Sequence, residues 1–213
     1  MVIKYFGHAC FLIELSNKTR LIFDPFGDIG YKMQRATADI ALISHNHYDH
    51  NNVNVVDGIK VVVHDADYIK NGLSIKSIKT YHDEKQGALR GENYVHIVDF
   101  DGKKIAHLGD FGEDVSLTDL SIIDGVDVLF LPVGGKYTID AVSAKKVIDI
   151  VKPKLVIPMH FKTPSSTVDV ASVQNFTKLF DDALITTLST DSLVIDKDFN
   201  YDSNIIVFDY KNF

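Results

Sequence analysis

Residues 44–50 read Ser44-His45-Asn46-His47-Tyr48-Asp49-His50, which brings three histidines and one aspartate within six positions. Imidazole nitrogens and carboxylate oxygens are the ligands that zinc and other borderline metals prefer in proteins. One alternative is a histidine-rich surface loop that binds metal only adventitiously. The dense spacing instead predicts a genuine metal site, which needs further ligands from elsewhere in the chain to complete its coordination shell.

Other candidate ligands stand in the same local context as His45, just after a strand-like pattern. In layered α/β proteins, ligands bind beyond the carboxyl ends of the strands. Four strand ends therefore direct metal-binding side chains to one rim, which a surface histidine cluster would not show. The predicted strands and the residues that follow them are 39–44 with His45, 73–80 with His82, 103–108 with Asp110, and 154–159 with His160.

The remaining hydrophobic pattern predicts one α/β domain over residues 1–213, with helices outside sheets. Asp101-Gly102 is typical of a two-residue hairpin turn, and residues 26–38 are expected to form a polar loop. Further strands are predicted at 2–6, 10–15, 20–24, 60–63, 94–100, 127–131, 184–188, 193–195 and 204–209. Helices are predicted at 116–124, 138–151 and 169–181, with Thr138 as the favoured N-cap of the second.

The bulk composition restricts the classes of partner. The net charge of −7 disfavours non-specific binding to nucleic acid, although local cations could still hold a small anionic substrate. Cys10 is the only cysteine, so no disulfide framework is expected. The chain starts with a strand-like pattern rather than a secretory signal and contains no long apolar run. We therefore expect a cytoplasmic protein without a membrane span, and its oligomeric state stays open.

The candidate ligands number seven, which exceeds the need of one tetrahedral zinc and suits two metals that share a carboxylate. Two such cations lower the pKa of a bridging water, and the resulting hydroxide attacks an acyl carbon or a phosphorus. The candidates are His45, His47, Asp49, His50, His82, Asp110 and His160.

These positions resemble the metallo-β-lactamase-fold hydrolases over nearly the whole chain. Local segments are similar to a small bacterial and archaeal branch of uncharacterised metal-dependent hydrolases. The resemblance implies a four-layer αββα sandwich, with a first metal on His45, His47 and His82, a second on Asp49, His50 and His160, and Asp110 bridging them. The similar segments are Gly7-His8-Ala9, Asp24-Pro25-Phe26-Gly27, Arg90-Gly91-Glu92-Asn93, His107-Leu108-Gly109-Asp110, Pro132-Val133-Gly134-Gly135, Tyr137-Thr138-Ile139-Asp140 and Pro158-Met159-His160.

Departures from this family narrow the expected activity. Secreted antibiotic-hydrolysing members of one large class carry Cys where Asp110 stands, and di-iron oxygen-reducing members typically carry Glu where His47 stands. Members that act on RNA usually have basic or inserted segments that this chain lacks. Thiolester hydrolases usually carry Gly-Gly shortly after the histidine motif, where this chain has Asn51-Asn52.

We therefore expect a dinuclear metal-dependent hydrolase of a small ester, lactone or phosphodiester, with Asp49 and Asp110 as catalytic residues. Zinc is the expected metal, while Mn²⁺, Ni²⁺ and Fe²⁺ stay open. Two alternatives are an iron-containing redox or oxygen-handling protein and a non-catalytic, metal-stabilised binding protein. Residues with weaker claims to a role beside the metals or on the substrate are Asp24, His8, Arg90, Asn93, Lys136 and Lys162.

Overall fold

The computed structural model describes residues 1–196 and 204–209 of the chain. Within these ranges the strands are β1 (Val2–Gly7), β2 (Cys10–Glu14), β3 (Arg20–Phe23), β4 (Ala36–Thr37), β5 (Ile40–Leu42), β6 (Val56–Asp57), β7 (Val61–Val63), β8 (Tyr68–Lys70), β9 (Leu73–Tyr81), β10 (Glu92–Phe100), β11 (Lys103–His107), β12 (Val128–Pro132), β13 (Leu155–Met159), β14 (Ile185–Leu188), β15 (Ser192–Val194) and β16 (Ile205–Phe208). The α-helices are α1 (Ala141–Val151) and α2 (Gln174–Thr177), and 3-10 turns lie at Val53–Val55, Ser121–Ile123 and Asp182–Leu184.

Two large sheets form the centre of the fold. The six-stranded sheet has the order β15-β1-β2-β3-β5-β7, and the eight-stranded sheet has the order β14-β16-β13-β12-β11-β10-β9-β8. Each sheet is mixed, because β3, β5 and β7 run parallel in the first, as do β11, β12, β13 and β16 in the second. The carboxyl ends of these parallel runs supply the edge on which the candidate ligands lie.

The apolar side chains divide into one core between the sheets and one cluster outside each sheet. The central core takes residues from both sheets, such as Phe11 and Phe23 from the first and Phe130 and Ile157 from the second. Because neighbouring residues of a strand point to opposite faces, the alternate residues of β12 face the outer cluster beneath α1. The α/β sandwich is therefore as predicted.

The outer layer of the six-stranded sheet differs from the expectation for residues 26–38. This segment is not simply polar, because Phe26, Ile29, Met33 and Ala36 are buried against the sheet. A loop, the β4–β6 pair and a 3-10 turn cover this face. In the described residues this outer layer therefore has fewer helices than the expected αββα sandwich implies. The apolar residues are spaced irregularly, which explains why neither helical nor strand periodicity predicted them.

The predicted longer strands are confirmed within two residues at each end, whereas the helices are only partly confirmed. The middle helix is α1, and its N-cap is Asp140, which accepts a hydrogen bond from the Ser143 N–H, so the prediction of Thr138 as cap is wrong. Residues 116–124 contain only a 3-10 turn, and 169–181 contain only the single turn of α2. The predicted hairpin is confirmed, with positive φ at both Asp101 (54°) and Gly102 (71°). No helix in the described ranges has the length and apolar character needed to cross a membrane.

Candidate metal centre

The predicted ligands come together where the ends of the two sheets meet. His45 follows β5 of the six-stranded sheet, while His82, Asp110 and His160 follow β9, β11 and β13 of the eight-stranded sheet. The turns after His45 supply the other three candidates. The geometry therefore matches the expectation that separate strand ends direct side chains to one rim.

The ligand atoms form three overlapping groups, in each of which all atoms lie within 4.8 Å of one another. The groups are His45, His47 and His82; His8, Asp49, His50 and His160; and His45, His50 and Asp110. The first two contain the two ligand sets that the family resemblance implies, with His8 added to the second. The third group connects them.

The carboxylate of Asp110 contacts histidines of both sets. Its Oδ2 lies 3.0 Å from Nε2 of His82, 3.2 Å from Nε2 of His160 and 3.8 Å from Nε2 of His45. Its Oδ1 lies 3.3 Å from Nε2 of His50. One side chain thus spans the two sets of candidate ligands.

Several buried polar atoms in this cluster lack a hydrogen bond within the described part of the chain. They are Nε2 of His45 and of His50, Nδ1 of His82 and of His160, and Oδ1 of Asp110. An unsatisfied buried donor or acceptor costs about 1–3 kcal/mol, so five of them in one place would be unfavourable without a further partner. Divalent cations would accept the lone pairs of these atoms, and the residues therefore fit a metal centre.

The electrostatics of the cluster also favour bound cations. Burial, helped by the nearby His50, lowers the pKa of His45 well below its usual value, so this imidazole is neutral and offers a lone pair. Burial also opposes charge on His50, but the surrounding carboxylates, Asp110 foremost, outweigh it and raise the pKa to about 10. Burial would raise the pKa of Asp110, but His160 and His50 hold it well below its usual range. A field that favours a proton on His50 also favours a metal cation in its place.

Asp24 lies behind the histidine loop and orients it. Its Oδ1 accepts the backbone N–H of Ser44 (2.7 Å), and its Oδ2 accepts the Ser44 hydroxyl (2.6 Å). The same Oδ2 lies 3.0 Å from Nδ1 of His50, and the Ser44 hydroxyl lies 2.9 Å from Nδ1 of His45. One buried carboxylate therefore fixes the orientation of His50 directly and of His45 through Ser44, a common arrangement behind metal-binding histidines.

His8 lies within the second ligand group. It occupies the turn between β1 and β2 with φ of 55°, and its Nε2 lies 3.2 Å from Oδ2 of Asp49. The His8 carbonyl accepts the backbone N–H of His160, and the two imidazole rings lie 4.2 Å apart. Burial and the neighbouring His160 lower the pKa of His8 to about 4, so its ring is neutral near pH 7. The His8 side chain thus positions Asp49, and the His8 carbonyl connects the β1–β2 hairpin to the end of β13.

Asn93 positions the backbone of Asp110 and does not line the cleft. Its Oδ1 accepts the backbone N–H of Asp110 (2.9 Å), while its Nδ2 donates to Thr80 and to the Leu108 carbonyl. Gly109 makes this approach possible, because a Cβ there would lie 2.4 Å from Asn93 Oδ1 and from the Ser44 side chain. Of the two roles expected for Asn93, beside the metals or on the substrate, its contacts therefore fit the first, since it holds the backbone of Asp110.

The three candidate substrate cations differ in their surroundings. Lys136 forms an ion pair with Asp169. Lys162 donates to the backbone carbonyls of Ser166 (2.6 Å) and Val168 (2.9 Å), so it fastens a loop instead of facing a ligand. Arg90 lies over the ring of Tyr137 and lines the same cleft as the metal candidates. The structure therefore distinguishes cations that the sequence could not separate.

Three residues at the candidate metal centre or its cleft have no role that the sequence predicts. They are Ser44, Asp83 and Tyr137. Asp83 directly follows His82, and its carboxylate accepts four backbone N–H groups of the loop that contains Arg90. A short polar residue directly after a ligand, followed by a glycine-containing loop, is the local signal that could have identified it. His107, which lies on β11 and precedes Asp110, is a packing residue, since its ring stacks on Phe23 and its Nε2 donates to the Ala9 carbonyl.

Comparison with known proteins gives consistent matches. The family model described as "Beta-lactamase superfamily domain" matches residues 2–160. A UPF0173 metal-dependent hydrolase of Carboxydothermus hydrogenoformans is 32% identical over 207 residues, covering 82% of this chain and 91% of the relative. A UPF0173 metal-dependent hydrolase of Thermococcus kodakarensis is 31% identical over 193 residues, covering 76% of this chain and 84% of the relative.

Solved structures give the same result for the fold. A Thermotoga maritima crystal structure, described as a candidate Zn-dependent hydrolase of the metallo-β-lactamase superfamily, superposes with a TM-score of 0.77. It is 32% identical to this chain, and the match covers 97% of each chain. This similarity confirms the predicted fold class.

Proposed function

The chain belongs to the β-lactamase superfamily, in its UPF0173 group of metal-dependent hydrolases, and on this premise we propose that it is a dinuclear enzyme that hydrolyses a small ester, lactone or phosphodiester. The observation that carries the proposal is the position of Asp110, whose two oxygens contact histidines of two separate ligand sets. A closed structural zinc site needs only four ligands, whereas this cluster offers eight side chains beside an open cleft.

The ligand types support zinc as the resident metal. His45, His47 and His82 would hold one cation, Asp49, His50 and His160 the other, and Asp110 both. Bound divalent cations supply a water nucleophile of lowered pKa and stabilise negative charge on the attacked group. A ligand set of imidazole nitrogens and carboxylate oxygens suits Zn²⁺.

The compartment is a separate part of the proposal. The single buried cysteine, which forms no disulfide, fits a reducing compartment such as the cytoplasm.

The protein's own groups prepare the cleft for hydrolysis. Hydrogen bonding from His8 and the neighbouring His50 hold the pKa of Asp49 well below its usual range, although burial opposes this, so the carboxylate stays ionised. Asp49 lines the cleft and can accept a hydrogen bond from the attacking water, which fixes the water's orientation. Asp24 and Asn93 do not reach the cleft, and they keep the ligands in place from behind.

Elemental analysis of the protein expressed with excess zinc tests the metal content. We expect about two metals per chain in the wild type and at most one in Asp110→Ala, because the shared ligand is lost. Asp39→Ala is the matched control, since Asp39 accepts a hydrogen bond from the backbone of Arg20 and pairs with Lys60 away from the centre. Fewer than one metal per wild-type chain would contradict the proposal.

A hydrolysis screen then tests the activity. Metal-loaded wild type, Asp110→Ala and Asp39→Ala are assayed against matched ester, lactone and phosphodiester panels. We expect turnover of at least one class by the wild type and by Asp39→Ala, and a loss of roughly a hundredfold or more in Asp110→Ala. Metal-loaded wild type that hydrolyses none of the three classes would contradict the proposed reaction.

A further inference from the structure

The cleft beside the metal centre has room for a small substrate. Its volume is about 420 Å³, within the range of ordinary ligand pockets. Metal candidates, including Asp110 and His160, line it together with Tyr48, Arg90 and Tyr137. A molecule bound here would therefore contact both the centre and these three side chains.

Arg90 differs from the other cations near the cleft because, in the described ranges, no carboxylate forms an ion pair with it. Among the described residues its guanidinium forms no ion pair, whereas Lys136 pairs with Asp169 and Lys162 donates to two backbone carbonyls. Arg90 is only partly exposed, and its guanidinium carbon lies 5.7 Å from the centre of the Tyr137 ring. The aromatic ring of Tyr137 attracts the charge of the guanidinium without accepting its N–H groups. The N–H donors of Arg90 can therefore bind a ligand.

The charges around Tyr137 are positive on balance, although Asp49 and Asp110 also line the cleft. Lys136 also lies over the Tyr137 ring, with its Nζ 5.4 Å from the ring centre, so two cations approach one side chain. Asp169 neutralises only one of them. An unneutralised guanidinium is notable in a chain whose net charge is −7, where carboxylates are plentiful.

The loop that contains Arg90 is built to hold it in place. The Asp83 carboxylate accepts the backbone N–H groups of Lys85 (2.7 Å), Gly87 (3.2 Å), Leu89 (3.0 Å) and Arg90 (2.8 Å). Because Asp83 directly follows His82, these bonds fix the loop relative to the metal centre. A pre-positioned guanidinium presents its N–H donors in a fork that matches carboxylate and phosphate oxygens.

We infer that the substrate has a carboxylate or phosphate group separate from the bond that is cleaved, and that Arg90 binds this group. The inference rests on the proposed function, since it assigns the substrate class of the same cleft. Tyr137 packs against the guanidinium and forms an aromatic wall of the cleft. Because Arg90 binds a group away from the cleaved bond, it determines which substrates bind and takes no part in bond cleavage.

Calorimetric titration of the metal-loaded protein tests this inference with defined probes. Phenyl phosphate represents the phosphate source, phenylacetate the carboxylate source, and phenylacetamide is the neutral control. We expect Arg90→Gln to weaken binding of at least one anion by about tenfold or more, because the variant loses charge-assisted hydrogen bonds to the anion. The anion whose affinity falls identifies the group that the site prefers, and Arg90→Lys should give an intermediate loss.

Two variants separate a specific effect from a general change in charge. Arg35→Gln removes the same side chain from a surface pair with Asp57, and Lys136→Gln removes the paired cation beside Tyr137. We expect Arg35→Gln to stay within about twofold of the wild type and Lys136→Gln within about threefold. Melting temperature and metal content, measured on every variant, show whether each protein is folded and loaded.

The inference is overturned if neither anion binds the wild type at 10 mM, or if Arg90→Gln binds both as tightly as the wild type. It is also overturned if Arg35→Gln or Lys136→Gln weakens anion binding as much as Arg90→Gln. Failure of the proposed function has a different signature, namely a wild type without metal or without turnover. Loss of anion binding in a metal-loaded, active wild type is thus distinguishable from a wild type that lacks metal or turnover.

Discussion

Asp24 illustrates how a single residue outside the cleft can control the centre. Its two oxygens accept the Ser44 N–H, the Ser44 hydroxyl and the His50 imidazole, all within 3.0 Å. Hydrogen bonding from His50 holds the pKa of this carboxyl well below its usual range even though burial opposes it. A negative acceptor behind a histidine also increases the basicity of the nitrogen that faces the metal.

Replacing Asp24 by Asn should weaken metal binding by about tenfold to a hundredfold. The amide oxygen can still accept one hydrogen bond, but the NH₂ group would face the N–H of His50, and two donors repel each other. The substitution also removes the negative charge. Competition with a chromophoric chelator measures the affinity, and Asp39→Asn is the control, because Asp39 binds Arg20 and Lys60 outside the centre. Equal metal affinity in Asp24→Asn and the wild type would show that Asp24 does not orient His50.

Sequence patterns predict ligands better than they predict the residues that position them. A histidine after a strand has few chemical roles, so His82 and His160 could be selected from their place in the chain. Asn93 and Lys162 could not be assigned in this way, because their partners are backbone groups of other segments. Whether a cation faces the cleft or fastens a loop depends on how that loop folds, which residue type alone does not specify.

At the scale of elements, the 83–91 loop depends on one carboxylate. Four backbone N–H groups point at Asp83, and the Gly91 N–H donates to the Gly87 carbonyl at 2.9 Å. Gly87 has φ of 80°, and a Cβ there would lie 2.9 Å from the Gly91 carbonyl oxygen, so the close turn requires glycine. The loop is therefore ordered by its own hydrogen bonds instead of by a regular helix or strand.

Asp83→Ala should loosen this loop without unfolding the sheets. We expect amide hydrogen exchange across residues 84–91 to rise by about tenfold or more, since one charge-assisted hydrogen bond is worth at least about 1.4 kcal/mol, which corresponds to tenfold. Mass spectrometry of peptic fragments measures it. Asp114→Ala, which removes an acceptor of the Ser116 N–H in another loop, should leave exchange at 84–91 unchanged. Unchanged exchange in Asp83→Ala would mean that other contacts order the loop.

The helices show where local pattern misleads. In the predicted helix 116–124, Asp114 and Asp119 accept the backbone N–H groups of Ser116 and Ser121, which replaces helical hydrogen bonds with Asx turns. Nine of the thirteen residues 169–181 are weak helix formers, namely two each of Val, Asp and Phe and one each of Ser, Asn and Thr, and only α2 forms there. Helix α1 survives because Ala144, Val147 and Val151 share one buried face and Asp140 caps its start.

At the scale of the whole molecule, the two ends of the parallel strands have different roles. The carboxyl ends of β11 and β13 lead to Asp110 and His160, whereas their amino ends meet at Asp127. The Asp127 carboxylate accepts the Lys104 N–H (2.7 Å) and the Lys154 ammonium (2.7 Å), so one buried side chain joins the starts of three strands. Stability and chemistry are therefore placed at opposite ends of the same sheet.

This separation predicts that Asp127 makes a pH-dependent contribution to stability that is separate from metal binding. Burial would raise the pKa of Asp127, but hydrogen bonds from Lys154 and from the Lys104 backbone outweigh it and lower the pKa below its usual value. A carboxyl whose folded pKa is lowered stabilises the protein above the unfolded pKa of about 3.9, and the contribution is lost as the pH falls through the folded value. Asp127→Asn should therefore be about 1–3 kcal/mol less stable than the wild type at pH 7.

Urea unfolding of both proteins from pH 7 down to pH 2 measures this difference. Acid also releases metal, but it does so from both proteins, so the free-energy difference between them isolates Asp127. We expect that difference to stay constant above about pH 5 and to shrink below the unfolded pKa of about 3.9. Asp99→Asn, an exposed change on β10, should match the wild type throughout. A constant difference down to pH 2 would show that the ionised Asp127 carboxylate is not the source of this stability. Metal loss from Asp127→Asn at pH 7 would show that the two ends of the sheet are not independent.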